Sequence, residues 1–205
     1  MLNSILPKSF QNILLETWGI WNFALRFFRE VFKPPYNLNE LVKQFFQIGN
    51  KSLGLVGVTG FIIGFVLALQ AIPTLQPFGA TSLIPSMIGL SIILEIGPVI
   101  SGLICAGKIG SSIGAELGSM KVTEQIDAME VSACNPFNYL VISRVLATTF
   151  MIPLLIIYAD TIALLGGYIA LNFVSDVSIG LYFRSVFEAL TFSALIAPVV
   201  KTFFF

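Results

Sequence analysis

The amino-acid sequence predicts an all-α, polytopic membrane protein, and three observations carry that expectation. Of the 205 residues, 56% are hydrophobic and 11% charged, with a mean hydropathy of +0.91; a soluble domain carries about 25% charged residues. The apolar runs approach or exceed the roughly 20 residues needed to cross a bilayer as a helix. The basic residues are also unevenly shared among the short connections, as the positive-inside rule requires of membrane spans. The chain reads as a single domain over 1–205, with an interfacial N-terminal region (1–50) and a transmembrane region (51–205).

The elements follow in order. Residues 9–33, SFQNILLETWGIWNFALRFFREVFK, have helical periodicity and stop at Lys33-Pro34-Pro35, as a helix should. Glu16 and Arg26 enclose only nine uncharged residues, too few for a span. Trp18, Trp21, Arg26, Arg29 and Lys33 suit the headgroup layer, so this helix is expected to lie on the membrane. Packing on the soluble side is the alternative. The first span is expected near 53–72, where Gly54, Gly57, Gly60 and Gly64 suit helix contact in lipid. Residues 73–83, with two prolines and no charge, read as a loop. A second span starts near Ile84 and its apolar part ends near Lys108, with helical character running on into water. A third lies within 140–173 and is long enough to tilt or protrude. Residues 173–184 read as a second loop, and a fourth apolar segment runs from about 186 to Phe205. A span that ends this way, with Lys201 close to the terminus, reads as a shortened chain.

Lys43 and Lys51 precede the first span, and Lys108, Lys121 and Arg144 follow the second. Residues 73–83 hold no basic residue, and 173–184 only Arg184. The N-terminus and the 108–144 region are therefore expected on the cytoplasmic or stromal side.

Composition also narrows the function. Formal net charge is zero and no basic stripe occurs, so nucleic acid is not an expected partner. The sequence has no histidine, which removes Ser-His and Cys-His catalysis and histidine-based metal sites. Cys105 and Cys134 are isolated, and Cys105 reads as a small buried apolar residue. There is no GxxxxGK[ST] phosphate loop, so no nucleotide hydrolysis is expected on this chain. No cofactor or metal is expected either.

Three constellations carry functional meaning. The first is GSMKVTEQIDAMEVSACNP, Gly118 to Pro136. With Thr123 as N-cap, Val122, Ile126, Met129 and Ala133 fall on one face, opposite Glu124, Asp127 and Glu130. This predicts a short amphipathic helix within 119–131. It is either a solvated connector or a docking helix whose acidic side meets a basic groove on a soluble partner. The second is the ladder Ala106, Gly110, Gly114 and Gly118, small residues at every fourth position. Such a face lets another backbone approach closely, within the chain or between subunits. The third is a pair of acids at membrane depth, Glu95 in SIILEIGPVI and Asp160 in LLIIYADTIALLGG. An acid at mid-helix costs about 2.5–3.5 kcal/mol on insertion scales. Each is therefore expected to face a cavity or partner, or to serve as a structural hydrogen-bonding group. For Glu95, flanked by Ile92, Ile93, Leu94 and Ile96, a pathway is the expectation.

The segment from Glu95 to Pro136 resembles the signature region of the MlaE-type permeases, membrane subunits of ABC transporters that move phospholipid between membranes, with plastid relatives that import lipid. Glu95–Pro98, Ala106–Gly110, Ala115–Met120, Thr123–Ala128 and Asn135-Pro136 fall in the family's order and spacing. Weaker resemblance reaches Pro153–Tyr168. Asn135 stands where the family has an acid, and Ser132-Ala133-Cys134 departs from its usual stretch. The family has about five spans after an interfacial helix. The resemblance implies a homodimer served by a separate ABC ATPase and by an MCE-domain lipid-binding protein. Glu124, Gln125, Asp127 and Glu130 would couple to the ATPase. Glu95, with Gln70, Leu75 and Phe78, would line the lipid path. Composition rich in Phe, Ile, Asn and Lys, with no transit peptide, favours a plastid-encoded protein of the inner envelope, a bacterial inner membrane being the alternative. Two other functions fit the residues alone: a small-solute ABC importer permease, or a self-sufficient channel or secondary carrier that uses Glu95 and Asp160.

Overall fold

A computed structural model describes residues 8–32 and 38–191, together with 196, 198, 200 and 201. Every element among the described residues is helical: α1 (Lys8–Glu30), α2 (Leu38–Leu75), α3 (Ile84–Ser91), α4 (Gly97–Val122), α5 (Gln125–Val131), α6 (Ser143–Asn172) and α7 (Ile179–Ala189). Three stretches are long and apolar enough to cross a membrane: Leu38–Phe78, Thr81–Val122 and Phe137–Asn172. They contain the first three expected spans.

The first span is longer than expected. Helix α2 has 38 residues, about 57 Å at the usual rise, against a hydrocarbon core near 30 Å. It passes residue 50 without a break. Glu40, Lys43 and Lys51 therefore sit on the same rigid rod as the apolar segment, at what we call the basic end of the bundle. Pro73 is accommodated near the far end of α2. The chain then reverses through two short turns, Gln76–Phe78 and Thr81–Leu83, with Gly79 between them at φ 67°. Only glycine adopts that left-handed conformation without cost.

The second span consists of two helices in series. Pro85 opens α3, where its missing N–H is no loss. A π-helical turn, Ile92–Ile96, then joins α3 to α4. A similar turn, Phe137–Ile142, leads into α6. The expected continuation of the second span into water is observed, since α4 runs to Val122.

The bundle is built on α2 against α6, and the contact is made by backbone. A Cβ on Gly60 would lie 2.7 Å from the Ala159 carbonyl oxygen. One on Gly64 would collide with the Ala163 carbonyl, and one on Gly166 with the Phe61 carbonyl. Two apolar clusters flank this seam. At the basic end Ile48, Val56, Cys105, Ile109, Leu155 and Ile156 pack together. At the far end Ala68, Ile72, Ile88, Ile92, Leu171, Tyr182 and Val186 do so.

Residues 173–178 form the first half of the expected loop, but 179–184 are helical. The Ser178 hydroxyl accepts from the Leu181 N–H and starts α7 at Ile179. The Arg184–Glu188 ion pair (2.7 Å) spans one turn of it, and the Ser86 hydroxyl ties α3 to it through the Ser185 carbonyl (3.0 Å). The helix stops at Ala189, where Leu190 turns extended. The fourth expected segment thus begins inside α7, and much of its remainder, including 192–195 and 202–205, lies outside the described residues.

Candidate functional site

The turn that carries Glu95 interrupts the regular α-helix inside the second span. Each helical carbonyl normally accepts from the N–H four residues on. Leu94 has Pro98 in that place, and proline has no N–H. The released Leu94 carbonyl instead accepts from the Lys201 ammonium at 2.6 Å. Lys201 was read from sequence only as a charge near the end of the chain. The observation that could have singled it out is the proline four residues after Leu94, which leaves a carbonyl in need of a donor.

Glu95 is solvent- or lipid-accessible in the isolated chain. No hydrogen bond or ion pair joins it to another described residue. Gln70, in the last turns of α2, and Phe78, in the Gln76–Phe78 turn, are also exposed, while Leu75 is half-buried against the far apolar cluster. The structure therefore leaves Glu95, Gln70 and Phe78 open and does not link them directly.

Asp160 is different. It is 9% exposed, and its Oδ1 has no hydrogen-bond partner among the described residues. That oxygen occupies the space where Gly97 would carry a Cβ. Asp160 on α6 and Gly97 at the start of α4 therefore fit together, directly behind the Glu95 turn. Of the two acids, the one expected to be structural by default lies inside the bundle, and Glu95 lies on its surface.

The glycine ladder runs down α4 from this turn. A Cβ on Gly110, Gly114 or Gly118 would meet nothing within 4 Å among the described residues. Close packing against the described helices is therefore not what these three serve. Ala106 is half-buried. The ladder is an open face.

At the basic end α4 is held by charge. The Arg144 guanidinium is buried, donates to the Leu140 carbonyl (3.0 Å) and pairs with Glu116 at 3.0 Å. Beside it the Tyr139 hydroxyl donates to buried Glu40 (2.9 Å), which also accepts from Gln44 (2.8 Å). These contacts tie α2, α4 and α6 together just below the polar segment. Arg144 and Glu116 were not predicted as a pair, because 28 residues separate them in sequence.

The amphipathic helix forms, with two corrections. It is shorter than 119–131, spanning Gln125–Val131, because α4 itself continues to Val122. Thr123 is not its N-cap. The Thr123 hydroxyl donates back to the Ser119 carbonyl (2.8 Å), and Glu124 occupies the cap position at φ 57°. Ala133, at φ 56°, marks the other end. Left-handed conformations cost about 1–2 kcal/mol for residues other than glycine, so α5 is bracketed by two tight, unfavourable corners. The face assignment holds in part: Ile126 and Met129 are half-buried and Glu124, Gln125, Asp127 and Glu130 are exposed, but Val122 and Ala133, expected on the apolar face, are exposed and lie outside α5. Asp127 pairs with Lys121 at 2.9 Å.

Helix α1 leans on this region. Arg26 sits over the Phe137 ring at 4.3 Å, and Phe23 meets the same ring edge-on. Its Trp18 and Trp21 are exposed, as an interfacial helix requires.

Long apolar helices, an accessible acid on an irregular turn and an exposed acidic helix together are those of a polytopic membrane protein. The family model described as "Permease MlaE" matches residues 41–205, and the chain belongs to the MlaE permease family. A probable ABC transporter permease of Rickettsia typhi is 40% identical over 175 residues, covering 83% of this chain and 66% of the relative. A probable ABC transporter permease, ycf63, of Pyropia yezoensis is 33% identical over 169 residues, covering 82% and 64%. The intermembrane phospholipid transport system permease protein MlaE of Haemophilus influenzae is 37% identical over 127 residues, covering 62% and 49%. The chain thus spans about two thirds of the length of the first two.

Proposed function

We propose that this chain is the membrane subunit of an ABC transporter that moves a phospholipid or glycerolipid, with ATP hydrolysed on a separate subunit. The observation that carries the reading is Glu95: an accessible carboxylate on a proline-broken turn at membrane depth, next to the Lys201–Leu94 tie. Such a group is too costly to leave facing acyl chains. Placed on a shared path it can accept from an amine or hydroxyl of a lipid headgroup. The open ladder Ala106, Gly110, Gly114 and Gly118 supports a homodimer whose two-fold axis brings two Glu95 turns together. Gln70, Leu75 and Phe78 would line the same path.

Helix α5 is the coupling element. It is exposed and acidic and follows directly on α4, to which the Lys121–Asp127 pair ties it, so a push on Glu124, Gln125, Asp127 or Glu130 is passed to α4. The ATPase would supply the basic groove, and an MCE-domain protein would deliver or receive lipid on the other side. The name of the Haemophilus relative, an intermembrane phospholipid transport system permease, supports phospholipid as cargo. A plastid inner envelope suits the composition, with a bacterial inner membrane as the other setting.

The test is transfer of labelled lipid between liposomes by the complete complex. Glu95→Leu should abolish transfer at equal protein level. Glu95→Gln should retain it if hydrogen bonding suffices and lose it if charge is required. Normal transfer by the leucine variant sinks the pathway role.

A further inference from the structure

A polar cleft lies between α2 and α4 at the basic end, well away from Glu95. Its walls hold Lys51, Ser52 and Gln47 on α2, and Lys108, Ser112 and Glu116 on α4. The floor is apolar, with Ile48 and Ile109 from the basic-end cluster. Its volume is about 60 Å³, several times the roughly 10–15 Å³ that one buried water needs. Lys108 is thirteen residues beyond Glu95, about 20 Å along the helix, so the two places are separate.

The charge in the cleft is positive. Glu116 is its only acid, and Arg144 neutralises it at 3.0 Å. The Lys108 ammonium is anchored on the Lys51 carbonyl, which holds the α4 lysine beside the α2 lysine. Lys51 and Lys108 therefore line the cleft together with Ser52, Ser112, Gln44 and Gln47, and its one acid, Glu116, is paired with Arg144. Donors and positive charge in this number suit a phosphate anion.

The surface next to the cleft indicates where such a phosphate comes from. Lys51, Leu55, Val58 and Ile62 follow one another along one face of α2 at helical spacing. All four are exposed, the three apolar ones at 44%, 61% and 52%. A lipid whose headgroup enters at Lys51 can lay an acyl chain along this stripe, whereas a free phosphate has no use for it. Basic pockets between transmembrane helices at the cytoplasmic side are known to hold acidic lipid headgroups.

We propose that the α2–α4 cleft binds the phosphate of an anionic membrane lipid of the cytoplasmic or stromal leaflet, as a site separate from the Glu95 turn. The lipid bridges α2 and α4 above the Ile48–Ile109 floor, where the Lys108–Lys51 contact also joins them. Binding there stiffens the mounting of α4, the helix that leads directly into α5.

The experiment uses the full chain purified in detergent, with bound lipid counted by native mass spectrometry. Dioleoylphosphatidylglycerol should bind and survive washing, and dioleoylphosphatidylcholine should bind far more weakly. Lys51→Gln with Lys108→Gln should weaken phosphatidylglycerol binding about thirtyfold, at roughly fivefold for each lysine. Lys51→Arg with Lys108→Arg should keep it. Ser112→Leu fills the cleft from an exposed position and should block binding without disturbing the core. It also decides the matter should the double glutamine variant fail to fold. Wild-type affinity in the Ser112→Leu or double glutamine variant overturns the proposal. So does equal binding of the two lipids, or complete displacement of phosphatidylglycerol by inorganic phosphate. The readout is binding, so a failure of the Glu95 pathway in the transfer assay leaves it standing.

Discussion

Helices α2 and α4 are both glycine-rich, yet their glycines have opposite surroundings. Gly60 and Gly64 of α2 press on the carbonyls of Ala159 and Ala163, and no side chain fits between. Gly110, Gly114 and Gly118 of α4 face open space among the described residues. The two helices are accordingly held in different ways. Helix α2 is fixed to α6 by backbone contact along its middle. Helix α4 packs through Cys105 and Ile109 and is further braced by polar contacts, Lys201 on the Leu94 carbonyl just before it and Arg144 on Glu116 in its later turns. Small residues state that something comes close, and they do not state what. A helix with its smallest face unoccupied among the described residues is suited to meet a second subunit.

The largest effect is expected on the closed face. Gly64→Leu places a side chain inside the Ala163 carbonyl, and overpacking of this kind costs about 3 kcal/mol. Folded, monodisperse protein should fall sharply in detergent extracts, as followed by size-exclusion chromatography. A normal yield would show that the α2–α6 seam can open. The same substitution on the open face separates folding from assembly. Gly114→Leu should leave the thermal midpoint of the isolated chain within a degree or two, since surface changes fall within about 0.5 kcal/mol. It should abolish cross-linking between subunits. Intact dimers would mean that the ladder faces lipid.

The polar tethers come next. Glu116→Ala leaves the buried Arg144 guanidinium with the Leu140 carbonyl as its remaining described partner, a loss of about 1–3 kcal/mol. Thermal unfolding should report it, and Glu116→Gln should recover part of it. An unchanged midpoint would remove the tether. At the other end Lys201→Met strands the Leu94 carbonyl, while Lys201→Arg can still donate. Lipid transfer should fall with methionine and survive with arginine, and equal activity of the two would show that the tie is dispensable.

The smallest effect concerns α5. If Thr123 were the cap of this helix, Thr123→Val would cost about 1 kcal/mol. Its hydroxyl bonds backwards to Ser119 instead, so the midpoint should barely move. Recruitment of the ATPase should likewise be unchanged, whereas Glu124→Lys with Asp127→Lys should abolish it.

Much of this was fixed by the sequence, because it depends on properties local in the chain. Hydropathy sets the length of a helix that lipid will accept, so the first three spans were legible. Four-residue spacing puts Gly110, Gly114 and Gly118 on one face whatever surrounds them, and the periodicity of Ile126 and Met129 against Glu124, Asp127 and Glu130 defines α5. The dense order of motifs from Glu95 to Pro136 was enough to indicate the family. Local signals were weaker at boundaries. Ser178 looked like a loop residue until α7 was seen to start on it, and Thr123 looked like a cap because its hydroxyl can bond in either direction. What only the tertiary structure decided are relations between distant residues. It chose Gly60 and Gly64 for contact inside the chain and left the α4 ladder open. It put Asp160 against Gly97 in the interior and Glu95 on the outside, although both sit in equally apolar sequence. It brought Lys201 to Leu94 and Arg144 to Glu116. A side chain's own composition gives the free energy it loses on entering lipid; which neighbour offsets that loss depends on how helices far apart in sequence come to lie side by side.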